Sequence, residues 1–218
     1  MNDLILPPLL NSIKVASNPY QTAIEHVQRR KAGAGDLFWA PSETQARLAI
    51  VLEPEVDCSR TLEMVPLMMV ALSDCLAVLL PPQVAVQFRD ERFVIVNGAV
   101  VATIEMTIAG DHQNEDLQAI PDWSVVGLSL EMKWPEDAQD PGDQPDITVL
   151  AEEGWDDPDL QKFIETFARH FLSWMVSWND DGFEAISRAW KFKAENEQTP
   201  DMSAILKQVQ MCESKMSE

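Results

Sequence analysis

Residues 84–108, VAVQFRDERFVIVNGAVVATIEMTI, decide the fold class. They hold three runs rich in β-branched and aromatic residues, Val84 to Phe88, Phe93 to Val96 and Ala99 to Ile108. Such side chains fit a pleated, half-buried surface, so each run reads as a strand. Asn97-Gly98 joins the last two. A type I′ turn needs positive φ at both central positions, and Asn and Gly are the residues that reach it at least cost, so a tight antiparallel hairpin is expected.

The flanks extend the pattern. Residues 60–80 place Leu62, Val65, Met69, Leu72, Leu76 and Leu79 three or four apart, with Asp57 or Ser59 as cap and Pro81-Pro82 as terminator. That spacing predicts a helix with one broad face on a sheet. Earlier, residues 19–32 read as a helix opened by Pro19 and ended by Gly33 and Gly35. Leu37 to Trp39 and Leu48 to Leu52 then read as two strands joined by the polar loop Pro41 to Ala46. Later, residues 110–122 are loop-like, Ser124 to Met132 makes another strand, and the acidic, breaker-rich Pro135 to Pro145 is expected to be a mobile surface loop. A helix from Pro158 to about Trp178 carries the stripe Leu160, Phe163, Phe167, Phe171, Trp174, Trp178, with Asp156, Asp157 and Asp159 at its positive end. A last helix spans Phe183 to about Ala194. The fold class is α+β: one domain over residues 1–194, with the polar tail 195–218 outside it.

The 218 residues carry 16 Lys+Arg against 36 Asp+Glu, a formal charge of −20. That charge repels phosphates and excludes bulk-electrostatic nucleic-acid binding, and it predicts indifference to anionic membranes. Hydrophobic residues make up 46%, enough for a packed core. Cys58, Cys75 and Cys212 are odd in number and far apart, which fits a reducing compartment. The N-terminal stretch lacks a basic region before its short apolar run. Met64 to Leu80 is interrupted and shorter than the ~20 residues a bilayer span needs. A cytoplasmic protein is expected.

Residue types alone yield no catalytic constellation. His26, His112 and His170 are scattered: His170 lies beside the buried stripe and reads as a core histidine, and His112 as a solvated one. No pair of cysteines has metal-ligand spacing, and no second histidine stands at ligand spacing, so no zinc site is expected. Gly33-Ala34-Gly35 follows a helix rather than a strand, so it is neither a phosphate-binding loop nor a dinucleotide fingerprint. Arg29-Arg30-Lys31 could meet an anion, or could simply complement a helix C-terminus.

Four segments in order carry a likeness: Trp39-Ala40-Pro41-Ser42 with the strand Arg47 to Val51; the helix 60–80 followed by Val84 to Phe88; the hairpin Val94 to Ile104; and Val125-Val126-Gly127-Leu128-Ser129-Leu130-Glu131-Met132. Asp181-Gly182-Phe183 to Trp190 adds to it. Together they resemble the catalytic domain of the biotin/lipoate protein ligase family, over about residues 5–194. The resemblance implies an α+β ligase-type domain with a mixed, mainly antiparallel sheet covered by helices on one face. In active members it implies joining an acid to ATP, holding the acyl-adenylate, and passing the acyl group to a lysine of an acceptor domain.

The same alignment places departures at the charged positions. The family's Arg/Gly-rich loop maps onto Lys31 to Phe38, with Asp36 in place of arginine. Its hairpin lysine maps onto Val100, the following glycine onto Thr103, its Trp-Pro-Asn-Asp turn onto Phe88 to Phe93, and a later asparagine onto Glu131. Two anions must approach one another in adenylation, and loss of one preorganised donor typically costs about 10²–10³ in rate. The resemblance therefore implies a relative without the standard adenylation apparatus. Such a relative would bind a small acid, an acceptor domain or another subunit. The alternatives are an active acyl ligase with Arg89, Arg92 or Lys31 as replacement cations, and a structural partner with no small-molecule site. The ligand-binding candidates are Gly33, Gly35, Trp39, Arg89, Arg92, Asn97, Gly98, Val100, Ala102, Gly127 and Ser129. Of these, Val100, Ala102 and the Gly127 strand, with Ile104, are expected to line one apolar slot. No cofactor is evident from the residues; biotin, lipoate or ATP enter by resemblance.

Overall fold

The computed structural model describes residues 4–110, 117–136, 138 and 144–212. The strands are β1 (Asn11–Lys14), β2 (Asp36–Ala40), β3 (Gln45–Leu52), β4 (Val86–Arg89), β5 (Phe93–Val96), β6 (Ala99–Ala109), β7 (Ser124–Glu131) and β8 (Gln210–Cys212). They form one sheet in the order β1-β2-β3-β7-β6-β5-β4, with β8 paired to β6. The helices are α1 (Pro19–Gln28), α2 (Cys58–Thr61), α3 (Met64–Leu79), α4 (Leu160–Asp181), α5 (Phe183–Lys193) and α6 (Met202–Gln208). Only β1–β2 and β6–β8 are parallel pairs; the rest are antiparallel. The expected mixed, mainly antiparallel α+β sheet is the one found.

The β5–β6 hairpin turns on Asn97 (φ 49°) and Gly98 (φ 95°), both left-handed as the sequence requires. Along β6 and β7 the side chains alternate. Ala102, Ile104, Met106 and Ile108 join Val126, Leu128 and Leu130 in the main core, under α3, α4 and α5. Val125 belongs instead to a smaller core with Tyr20, Ala23, Ile24 and Val27 of α1 on the opposite face. The helices thus divide: α3, α4 and α5 cover one face, and α1 alone covers part of the other.

Two elements differ from the sequence pattern for clear reasons. α3 is buried on nearly every side from Met64 to Leu72, rather than on one broad face, because α4 and α5 cover what the sheet does not. Cys58–Leu79 is long and apolar enough to cross a bilayer, but most of it is spent in this core. Second, the tail is not outside the fold. Ala194 bridges Phe88, Ile205 of α6 is buried in the main core, and β8 runs along β6 with Gln210 opposite Thr107 and Cys212 opposite Ala109. β5 leaves β6 at Thr103, so the later edge of β6 would otherwise carry unpaired backbone groups, and β8 takes part of it. The sequence also gave no sign of β1, a short and mostly exposed edge strand. His112 and most of the expected mobile loop (137 and 139–143) lie outside the described residues.

Candidate functional site

The sequence candidates separate into groups that do not converge. Leu37 near the start of β2 is opposite Ile50 of β3, Ile50 is opposite Val126 of β7, and Val126 is opposite Met106 of β6. The Gly33–Gly35 turn therefore lies beside the late end of β6. Asn97-Gly98 precedes the start of β6, so these two turns stand at opposite ends of the sheet.

At the Gly33 turn the chain satisfies its own amides. Gly33 N–H donates to Asp36 Oδ2 (3.0 Å), Gly35 N–H to the Val51 carbonyl (2.9 Å), and Asp36 N–H to the Gly33 carbonyl (3.2 Å). Gly35 holds φ 86° so that its backbone can pass Leu9, whose carbonyl oxygen would lie 2.0 Å from an added Cβ. Trp39 is buried, and its indole N–H donates to Ser12 Oγ (2.9 Å). This turn is a packed corner, with a carboxylate where an anion cradle would need free donors.

At the other end, Asn97 Nδ2 donates to Glu153 Oε2 (2.6 Å), and Thr148 Oγ1 donates to Glu153 Oε1 (2.6 Å). The Val100 amide donates to the Asp146 carbonyl (2.8 Å), and its carbonyl accepts from Thr148 N–H (2.9 Å). The backbone of Val100 is thus closed by residues 146–148. Arg89 holds Glu195 through Nε (2.7 Å) and Nη2 (2.9 Å), and Nη2 also reaches the Gly98 carbonyl (3.3 Å). That pairing keeps the Glu195 carboxyl below its usual range. Arg89 is an anchor for the tail.

The expected apolar slot is corrected in the same way. Ala102 and Ile104 point into the main core at 2% and 3% exposure. Gly127 and Ser129, one residue out of phase with their core-facing neighbours on β7, face the opposite side. Alternation along a strand puts the two sets on different faces of the sheet.

What does converge lies on that second face. Tyr20 of α1 lays its ring over Gly127, where an added Cβ would stand 2.5 Å from Tyr20 Cδ2. The Tyr20 hydroxyl and Thr107 Oγ1 share a buried hydrogen bond of 2.7 Å. Burial pushes the phenol far above its ordinary pKa, and Glu105 pushes it in the same direction, so the ring remains neutral. α1 is held in place by Asn18, whose Oδ1 accepts from Tyr20 and Gln21 N–H. On one side of Tyr20 a cavity of about 150 Å³ is lined by Asn18, Arg47, Leu48, Glu105, Gly127, Leu128 and Ser129. On the other, at the edge of β6, a second of about 150 Å³ is lined by Arg92, Thr103, Glu105, Gln208 and Val209 and reaches Val65, Ile104, Met106 and Ile205 of the main core. Tyr20 and Glu105 belong to both walls. Arg47 donates to Gln45 Oε1, and the Arg92 guanidinium lies 4.6 Å from the Phe93 ring centroid. Neither is in an ion pair among the described residues.

Of the sequence candidates, then, the groove collects Arg92, Gly127 and Ser129. It adds Tyr20, Arg47 and Glu105, none of which is among the sequence candidates. The one available signal is that Tyr20 is the only tyrosine in the chain, directly after a helix-capping Asn18-Pro19. Among the described residues no group of His, Cys, Asp and Glu could hold a metal ion.

Comparison with known proteins fits this architecture. A biotin protein ligase-like protein of unknown function from Silicibacter sp. TM1040 superposes with TM-score 0.78 at 28% identity, over 88% of this chain and 81% of that one. The biotin protein ligase of Aquifex aeolicus gives 0.66 at 14% identity, over 85% and 78%. That of Leishmania major, solved with biotinyl-5-AMP, gives 0.58 at 11%, over 89% and 85%. The latter two likenesses concern the fold. Among curated proteins no sequence matches. The model of the biotin/lipoate A/B protein ligase family matches residues 6–192, and the chain belongs to that family.

Proposed function

We propose that this protein binds a small carboxylic acid on the open face of its sheet and does not carry out the adenylation that the family's ligases perform. One observation carries the reading: the Tyr20 ring stands on Gly127 and separates a cavity of about 150 Å³ on the open face from another of about 150 Å³ at the edge of β6. Sites for drug-sized ligands run to about 300–1,000 Å³. Either cavity suits a short acid; neither suits an acyl-adenylate. The self-satisfied Gly33 turn and Val100 at the lysine position support the same conclusion. Arg92 and Arg47 are the cations that would meet the carboxylate, and Glu105 between them disfavours a second anion. An acceptor domain as partner, and a cytoplasmic location, belong to the same proposal.

The test is a thermal-shift series with short acids, octanoate, lipoate, biotin and MgATP, beside an assay for pyrophosphate release. A short acid alone raises the melting temperature; at a hundred times its Kd it adds about 2.7 kcal/mol. Arg92→Ala abolishes the shift. Arg89→Ala leaves it intact, because Arg89 is engaged with Glu195. Acid-dependent pyrophosphate release lost in Arg92→Ala would establish the active-ligase alternative instead. No shift with any acid would favour a purely structural role.

A further inference from the structure

The cavity at the edge of β6 carries one charge of each sign. Arg92 and Glu105 both line it, and neither is in an ion pair among the described residues. Register explains why they stand near each other without meeting. Phe93 of β5 is directly opposite Thr103 of β6, so the two share one face of the sheet, and the Arg92 guanidinium lies over the Phe93 ring. Glu105 follows Thr103 by two residues on the same face, about 7 Å further along the strand. The Arg92 carbonyl accepts from Ile104 N–H (2.8 Å), which holds this turn against the strand. β8 begins opposite Thr107, so Glu105 lies in the gap between β5 and β8 and is exposed. Gln208 Nε2 donates to the Asp90 carbonyl (3.1 Å), which fixes that amide on the same wall.

We infer that the ligand of this site is a small amino acid, its carboxylate on Arg92 and its ammonium on Glu105. The inference rests on the acid reading and names the class of acid. Among the described residues Arg92 is the only cation on the wall and Glu105 the only carboxylate. A guanidinium alone would take any small acid. The carboxylate beside it gives nothing to the uncharged tail of a simple acid and repels the second charge of a diacid, whereas an ammonium answers it with a charge-assisted hydrogen bond. The Thr103 hydroxyl and the Gln208 side-chain carbonyl add acceptors for further N–H groups. The cavity opens to water, so an apolar chain gains little there, while a ligand charged at both ends keeps partners throughout. The whole chain favours the same class. Its charge of −20 opposes the approach of a free anion and leaves a zwitterion of zero net charge unopposed.

The experiment is calorimetric titration of three matched pairs into the full chain: glycine and acetate, 3-aminopropionate and propionate, 4-aminobutyrate and butyrate. It is repeated with Glu105→Gln, a change of charge at an exposed position with almost no change of shape, and with Arg92→Ala. Circular dichroism and the melting temperature confirm that each variant is folded. In the wild type at least one amino acid binds about fivefold more tightly than its matched acid, the gain expected of one partly exposed ion pair. Glu105→Gln brings that ratio below twofold with the matched acid within about threefold of its wild-type affinity, and Arg92→Ala loses both members of the pair. Acids bound by the wild type with no pair preferring the amino acid by twofold, or a preference unchanged in Glu105→Gln, would overturn the amino-acid reading and leave the acid site standing. Binding of no member of any pair would remove the site itself.

Discussion

Gly127→Ala gives the sharpest test of the groove. A Cβ at this position would stand 2.5, 3.0 and 3.1 Å from Cδ2, Cε2 and Cγ of Tyr20. The contact is with ring atoms rather than the free end of a flexible chain, and the hydroxyl beyond them is held 2.7 Å from Thr107 Oγ1. Relief requires the ring to lift, so α1 shifts or the buried hydrogen bond stretches. Overpacking of this kind costs about 1–3 kcal/mol, and each kcal/mol moves the melting temperature by about 2–4 °C at this length. Gly127 does not have a positive φ, so alanine is otherwise acceptable there and removes about 0.4–1 kcal/mol of unfolded-chain entropy. The sign of the effect should therefore reverse with its neighbour. In a Tyr20→Ala background, itself about 3–5 kcal/mol less stable, Gly127→Ala should be neutral or stabilising. Urea unfolding of the four proteins, compared at constant m, closes the cycle. Equal costs of Gly127→Ala in both backgrounds would refute the placement of Tyr20 over Gly127, and with it the separation of the two cavities.

Two further outcomes are expected. Gly35→Ala forces a side chain into φ 86° and against the Leu9 carbonyl, and should cost more than about 2 kcal/mol by thermal melting, since strain and clash add. Glu63 is half-buried, and burial raises its pKa against the opposing pull of the Trp178 N–H bond (2.5 Å) and Arg60. The native state then holds the proton more tightly than the unfolded chain, so this residue's contribution to stability falls as pH rises through the window just above the ordinary glutamate range. Glu63→Gln should accordingly gain on the wild type as pH rises through and above the ordinary glutamate range in urea titrations; a stability difference independent of pH would show that Glu63 titrates normally.

The likeness to the ligase family was legible because it resides in short-range signals. Asn97-Gly98 dictates its turn whatever surrounds it, and the order of strands and helices survives as a pattern of periodicities. Convergence was not. The slot expected from Val100, Ala102, Ile104 and Gly127 failed on register: β6 and β7 pair so that Ala102 faces α3 while Gly127 faces α1. Arg89 looked like a free cation in sequence and proves to be paired with Glu195, which is 106 residues away.

From sequence alone came most of the strands, the hairpin and the long helices, all of which are properties of neighbouring residues. Tertiary structure decided which residues meet. Tyr20 and Thr107 touch across 87 residues of chain, and the polar tail becomes a strand because β6 has an edge that β5 leaves uncovered. No local propensity encodes either event. Both follow from the demand that buried backbone groups find partners and that apolar faces close on one another.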